Sequence, residues 1–408
     1  MNTKEVYWRY WSFLMKTISE VISSGMCIGC GACNIYSKFN AMQYDSDGFL
    51  IPQDIHTTNI ADFCPGIETK PLKGNFTHNL WGNVECSLTG FSKSDEVRHK
   101  GSSGGVLTQL AIYLLETGKV SGVLHVGVSD SDGVTNKTYI SNDAKSVLAR
   151  AGSRYSPSSV LSSLKNLIDA DGTYLVIGRP CDISAIRAMM EKDRRLADKV
   201  YMLASFFCAG TPSQNATQDL IAMFTLNPDE VSHISYRGKG WPGKTEIKTQ
   251  DSTYQLDYEE SWGNVLNKKL HTRCKICADG VGQSADIVCA DAWESDERGY
   301  PLFNESKGRS LILARSTFGK AVLNQMISAE VLDVKDYCLD NLEKIQPYQV
   351  NRKRNIFART LAFKVLGKYV VKQGGYSIYR NAYENGFYKT CSNFYGMFKR
   401  LIGKAKGI

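Results

Sequence analysis

Three cysteines in close order, Cys27-Ile-Gly-Cys30-Gly-Ala-Cys33, constrain this 408-residue chain more than any other feature. What they can do depends on compartment. The N-terminus is broken by Lys4, Arg9, Lys16 and Glu20 and has no apolar core followed by a small-residue cleavage site, so it does not read as a secretory leader. A cytoplasmic protein is expected, and there the chain's twelve cysteines are not a disulfide framework. With 43% hydrophobic and 22% charged residues the chain can bury a full core without one, in two or three domains. Metal or cluster binding becomes the leading question.

The x2, x2 spacing of Cys27, Cys30 and Cys33 is that of a bacterial ferredoxin half-motif. There a fourth cysteine follows three residues later, before proline, and ligates a second cluster. Ser37-Lys38 stands at those positions here, whereas Cys64-Pro65 supplies a remote cysteine before proline. Cys27, Cys30, Cys33 and Cys64 therefore make a complete 4Fe-4S ligand set. Zinc also accepts four thiolates, but the x2, x2 triplet is uncommon for it.

Downstream, helix and strand alternate. Val106–Glu116, Ser158–Ile168, Ile183–Lys192, Gln214–Phe224 and Phe318–Ser328 read as helices. Val120–Val128, Tyr174–Ile177, Val200–Phe207, Ala285–Cys289 and Ser310–Ala314 read as strands. This predicts an α/β fold with a mixed sheet, in which ligands gather at the carboxyl ends of strands. Cys181 and Cys208 fall just past two such ends. Cys274-Lys-Ile-Cys277 is a lone C-x2-C and needs two further thiols to make a site; Cys181 and Cys208 are available, but equally read as core cysteines. Cys86, Cys289, Cys338 and Cys391 have no partner spacing and read as core thiols. Gly101-Ser-Ser-Gly-Gly105 leads into the helix at Val106 and suits an anion, or is simply a tight turn.

The charge is uneven. Residues 341–408 carry 14 Lys and Arg against two acidic residues, a net of +12; the remaining 35 basic and 39 acidic residues leave −4. The same stretch holds twelve Phe and Tyr residues, and Ile356–Gln373 has apolar positions at helical spacing with Lys364, Lys368 and Lys372 at four-residue steps. A basic helical tail follows, read either as a cap with a solvated face or as a dock for an anionic surface, the inner face of a membrane foremost. No nucleic-acid recognition motif accompanies the charge.

Taken in order, these segments resemble the beta-subunit family of coenzyme F420 hydrogenases and dehydrogenases, which includes 7-hydroxymethyl chlorophyll a reductase. The resemblance runs through Cys27–Cys33, Arg98-His-Lys-Gly-Ser-Ser-Gly-Gly105, Gly152-Ser-Arg-Tyr155, Gly178-Arg-Pro-Cys181-Asp, Phe207-Cys208-Ala-Gly210 and Cys274-x2-Cys277-Ala-Asp279. It closes with Ala285-Asp-Ile287, Ala290-Asp-Ala-Trp293 and Gly308-Arg-Ser310 with Arg315, covering about residues 25–335. It implies an FAD protein in which Cys181, Cys208, Cys274 and Cys277 hold a second 4Fe-4S cluster. Ser102, Ser103, Gly104 and Gly105, with Ser153, Arg154 and Tyr155, would line the flavin. Two positions depart from the family: Arg179 replaces a small residue in G-x-P-C, and Cys289-Ala290 replaces a small residue and Gly before Asp291.

The organisation expected is a ferredoxin-like cluster segment (1–80), an α/β flavin and cluster domain (81–340) and the basic tail (341–408). The function expected is an oxidoreductase passing electrons between 4Fe-4S clusters and FAD to act on an organic substrate, with ferredoxin, coenzyme F420 or a nicotinamide as donor. Association with surface-polysaccharide genes in some family members suggests a sugar or lipid-linked substrate. Asp279, Asp291 and His99 are general-acid candidates, each with a structural alternative: a packed histidine, or aspartates that cap helices or hold the ribityl chain. Two other readings stand beside this one: an electron-input subunit without its own substrate, and a zinc-stabilised binding protein whose tail contacts nucleic acid.

Overall fold

The computed structural model describes residues 17–36, 41–53, 60–74, 77–292 and 307–405. The readings made on the leader, on Ser37-Lys38 and on Trp293 lie outside them. An eight-stranded mixed sheet organises the chain: β1 (Cys86–Ser92), β2 (Gly122–Val128), β3 (Asn136–Ser141), β4 (Tyr174–Gly178), β5 (Val200–Phe206), β6 (Ile287–Asp291), β7 (Ser310–Ala314) and β8 (Leu332–Asp336). Their order across the sheet is β8-β1-β7-β6-β5-β4-β2-β3. The pairs β6/β5, β5/β4 and β4/β2 are parallel and the others antiparallel.

Buried on both faces, the parallel strands read as near-continuous apolar runs, Tyr-Leu-Val-Ile in β4 and Ile-Val-Cys-Ala in β6. Helices α1 (Val106–Glu116) and α4 (Thr317–Ser328) pack on one face through Leu110, Leu114, Leu323 and Met326. Helix α2 (Pro180–Met190) packs on the other through Ile183 and Ile186. Beyond β5, α3 (Gln214–Ala222) supports a small antiparallel sheet of 233–235, 245–248 and 253–256, whose first connection carries Arg237 and Trp241.

The tail is three helices, α5 (Pro347–Val365), α6 (Ile378–Asn385) and α7 (Phe387–Ala405). It shares a core with the N-terminal segment and the sheet: Ile18 and Val21 lie in one buried cluster with Val176, Ile186, Phe363, Met397 and Leu401. Lys372 and Gln373 also pair with Glu68 and Thr69. The expected helix over 356–373 begins earlier and stops sooner. After Val365, Gly367 N–H donates to Lys364 and Lys368 N–H to Phe363, closing the helix with a Schellman motif. Lys368 and Lys372 thus fall past its end, and the expected row of lysines on one helical face does not form. No helix among the described residues is long and apolar enough to cross a membrane.

Candidate redox site

The carboxyl ends of the parallel strands open onto one cavity of about 690 Å³. Its wall takes Gly178 from β4, Phe206 from β5, Asp291 from β6 and Val126 from β2. Gly101, Ser102, Ser103 and Gly105 of the glycine-rich turn line it, as do Ser153, Arg154 and Tyr155. Gly104 does not. A Cβ there would meet the Gly90 carbonyl oxygen at 2.5 Å and Ser310 N at 2.7 Å, so this glycine lets the turn press against β1 and β7. Ser103 Oγ donates to Arg309 O at 2.8 Å. Ser102 Oγ is buried without a partner, an open polar position that suits a bound anion.

Against the turn, where Arg237 donates to Ser102 O, Arg237 and Asp291 form a two-contact ion pair at 2.9 and 3.1 Å, and Trp241 Nε1 donates to the same carboxylate at 3.0 Å. The Arg237 guanidinium lies 5.1 Å over the Tyr258 ring. Burial and the neighbouring Tyr155 push the Tyr258 phenol well up. Tyr155 also stacks obliquely on Trp262, ring centres 4.8 Å apart. Aromatic rings and a buried cation thus face the glycine-rich turn. Arg237 and Trp241 were missed in the sequence. The signal was the dense run Tyr236-Arg-Gly-Lys-Gly-Trp-Pro-Gly243, which matches no standard phosphate loop.

Of the acid candidates, only Asp291 lines the cavity, with its oxygens already engaged. Asp279 is buried in a turn, accepting from Val281 and Gln283 N–H at 3.0 to 3.2 Å. His99 is exposed near the end of the helix Asp95–Lys100, away from the cavity wall.

Cys27, Cys30, Cys33 and Cys64 surround one small apolar pocket, together with Ile18, Val21, Ile60 and Phe63. Gly29 and Gly31 have φ of +65° and +80°, and a Cβ on either would strike Leu50 O or Ser162 N; only glycine allows this tight wrap. Burial pushes the Cys27 thiol up to about 11, and Cys30 further with Asp182 and its neighbour thiols adding to it.

The second four lie in one neighbourhood: Cys181 is within electrostatic reach of Cys208 and Cys277, and Cys208 of Cys274 and Cys277. Cys181 sits in the first turn of α2, Cys208 just past β5 on the cavity wall, and Cys274 and Cys277 on the turn at 272–277. Burial drives the Cys208 thiol up to about 12. At Cys277 the same burial is outweighed by Arg273 and Arg352, and the thiol is pulled down. Arg273 hydrogen-bonds Cys277, and Arg273 Nε and Arg352 Nε are buried here without a further partner, donors that an anionic group among the thiols could satisfy. Arg352 comes from the tail: it donates to the carbonyls of Cys208 at 2.6 Å and Cys274 at 3.1 Å, while Lys353 donates to Ala278 O at 3.0 Å. These two basic residues, counted in the sequence as charge for an anionic surface, are buried against the cysteines instead.

Arg179 joins the two sets. It donates to Ile28 O at 3.4 Å, to Thr211 Oγ1 at 3.1 Å and to Asp182 at 2.8 and 2.9 Å. Of the four cysteines read as core thiols, only Cys289 is fully buried; Cys86 is half-buried, and Cys338 and Cys391 are exposed because they lie on loop and tail surfaces.

Residues 87–165 and 171–338 match the N-terminal and C-terminal parts of the coenzyme F420 hydrogenase/dehydrogenase beta subunit. The coenzyme F420 hydrogenase subunit beta of Methanococcus voltae is 24% identical over 70% of this chain and 99% of its own. A coenzyme F420-dependent sulfite reductase of Methanocaldococcus jannaschii is 22% identical over 82% of this chain, which spans 50% of that protein. A chain in the structure of the F420-reducing [NiFe] hydrogenase complex from Methanosarcina barkeri shares the fold, with a TM-score of 0.52, 22% identity and coverage of 69% of this chain and 96% of that one. The mixed sheet and the matched segments agree: the chain belongs to the coenzyme F420 hydrogenase/dehydrogenase beta-subunit family.

Proposed function

We propose that this chain is an electron-transfer oxidoreductase subunit with FAD in the large cavity and a 4Fe-4S cluster on each cysteine set. The carrying observation is Cys208, which belongs to the second cysteine set and stands on the cavity wall. A flavin beside a cluster converts between one-electron carriers and two-electron reduction of an organic molecule. Ser102, Ser103 and Gly105, with Ser153–Tyr155, would line the flavin. Arg237, fixed by Asp291, would present positive charge to it, and Tyr155 and Tyr258 hydroxyls are further candidates to hold a proton at the cavity wall. A single zinc fits less well. Among the described residues no three Cys, His, Asp or Glu converge as one ion would need, with metal–sulfur bonds of about 2.3 Å.

Relatives named for coenzyme F420 make its reduced form the first donor to try, ahead of ferredoxin and nicotinamides. They are also named as subunits, which favours a partner chain over independent turnover. The cavity residues carry nothing specific to a sugar, so the polysaccharide reading is not taken further. Anaerobic protein mixed with reduced coenzyme F420 should lose flavin and cluster absorbance within the mixing experiment. Absorbance untouched by all three donors, in protein that carries both groups, would refute the donor assignment.

A membrane dock is proposed for the outer face of α6 and α7 only. Tyr383, Phe387 and Tyr388 are 88, 87 and 85% exposed there, with Lys389 next in sequence and Lys399 and Arg400 further along α7. Aromatic rings with basic neighbours suit an anionic interface. Flotation on anionic but not neutral liposomes is expected, and its loss in the Tyr383→Ser, Phe387→Ser, Tyr388→Ser triple variant. Equal flotation of this variant would refute it.

A further inference from the structure

The two cysteine sets stand in different electrostatic surroundings. Facing the inner set, Cys181, Cys208, Cys274 and Cys277, are Arg179, Arg273 and Arg352, only 6, 1 and 4% exposed. Lys353, 2% exposed, faces Cys277 as well. The carboxylates on this side are Asp182, tied to Arg179, and Asp279, tied to main-chain N–H groups. Four cations thus stand against two anions; Arg179 and Arg273 also reach Ile28 O and Pro65 O of the N-terminal set, so Arg352 and Lys353 are the charges that belong to the inner set alone. Near the N-terminal set are Asp45 at Cys27 and Asp182 at Cys30, with Arg179 the cation acting on Cys27. Around Cys64 are other thiols, the main-chain N–H of Gly66 and Ile67, and Tyr369, with Arg273 reaching the neighbouring Pro65 O.

Buried charge acts through a low effective dielectric, and net charge beside a cluster is among the terms that set its potential. Position agrees with charge. The inner set reaches the cavity through Cys208, whereas none of Cys27, Cys30, Cys33 and Cys64 lines it.

We infer that Arg352 and Lys353 hold the inner cysteine site at a higher reduction potential than the N-terminal site, so that an electron shared between the two sites rests on the inner one, beside the cavity. This rests on the reading that each set holds a 4Fe-4S cluster. An exchange between the sites takes one electron from one and gives it to the other; no bond breaks and no proton moves. Arg352 is the residue to test, because Gln349 Nε2 also donates to Cys208 O, at 3.1 Å, and keeps that carbonyl held when the charge is removed. Arg352 is a positioning residue that acts through the site, and the tail helix α5 exists in part to deliver its charge.

The experiment is a potentiometric titration of anaerobic full-length protein followed by electron paramagnetic resonance, with iron and sulfide measured first. Two one-electron steps are expected. The higher is lost in Cys277→Ser and the lower in Cys64→Ser. Arg352→Gln lowers only the higher step, by about tenfold in equilibrium constant (about 59 mV for one electron), and Arg352→Lys restores most of it. The inference is overturned if the higher step disappears in Cys64→Ser, or if Arg352→Gln leaves both steps in place. If Arg352→Gln takes up no inner cluster, the order of the two steps in the cysteine variants still decides. Iron near four atoms per chain would instead overturn the two-cluster reading beneath it, and is seen before any titration begins.

Discussion

Arg273, one residue before Cys274, donates to the main-chain carbonyl of Pro65, one residue after Cys64, at 3.3 Å. This side chain is 1% exposed and is one of two buried guanidinium groups that bridge the cysteine sets, Arg179 to Ile28 being the other. Segments some two hundred residues apart in sequence are therefore tied into one cysteine-rich region, and Cys208 carries it to the cavity wall.

The Arg237–Asp291 pair should behave as a buried ion pair. Asp291→Ala strands a guanidinium that is almost fully enclosed, and should cost about 3 kcal/mol in urea unfolding. Replacing both residues, Arg237→Met with Asp291→Ala, should cost less than the Asp291 change alone. Additive losses would show that the pair is solvated and not coupled.

The glycine-rich turn separates packing from binding. Gly104→Val should fail through misfolding, since its Cβ would meet β1 and β7 backbone. Ser102→Val leaves that packing intact and should reduce flavin retention at least tenfold in a dialysis assay. Full retention by folded Ser102→Val protein would show that Ser102 does not hold the flavin.

His125 lines the cavity, hydrogen-bonds Ser141 Oγ at 2.8 Å, and is pushed down to about 4 by burial, with Arg150 adding to the shift. Because the folded value lies below the unfolded 6.5, the unfolded chain binds the extra proton. Stability from this group is complete above pH 6.5 and falls as pH drops towards 4, by up to about 3 kcal/mol. His125→Gln should flatten unfolding free energy across that window. An unchanged slope would mean the imidazole is protonated in the fold.

Phe363 tests whether the tail is part of the core. It is 2% exposed and shares a cluster with Ile18, Val176 and Met397. Phe363→Ala should cost about 3 to 5 kcal/mol. A cost under about 1 kcal/mol, the range of surface changes, would mark the tail as a separate appendage.

Much of the sheet was legible because buried parallel strands leave short apolar runs. Ser310–Ala314 and the helix Val106–Glu116 fall on the expected residues. Other boundaries moved where capping decides: α2 starts at Pro180, three residues early, since proline is suited to a first helical turn. The cysteines could be picked out by spacing, but whether Cys181 and Cys208 join Cys274 and Cys277 depends on two strand ends meeting one loop, which spacing does not encode. The tail was the hardest. Arg352 and Lys353 look like surface charge in any one-dimensional count, and only the carbonyls of Cys208, Cys274 and Ala278 turn them inward. Arg237 escaped for a similar reason, its partner Asp291 lying 54 residues away.

The most direct test of the whole account is the stoichiometry of iron, acid-labile sulfide and flavin in anaerobically purified full-length protein. Two 4Fe-4S clusters and one FAD predict about eight iron and about eight sulfide per chain, with one flavin. Cys64→Ser and Cys277→Ser should each lower iron to about four while flavin stays bound. Protein that carries zinc in place of iron, or that folds with neither sulfide nor flavin, would contradict it.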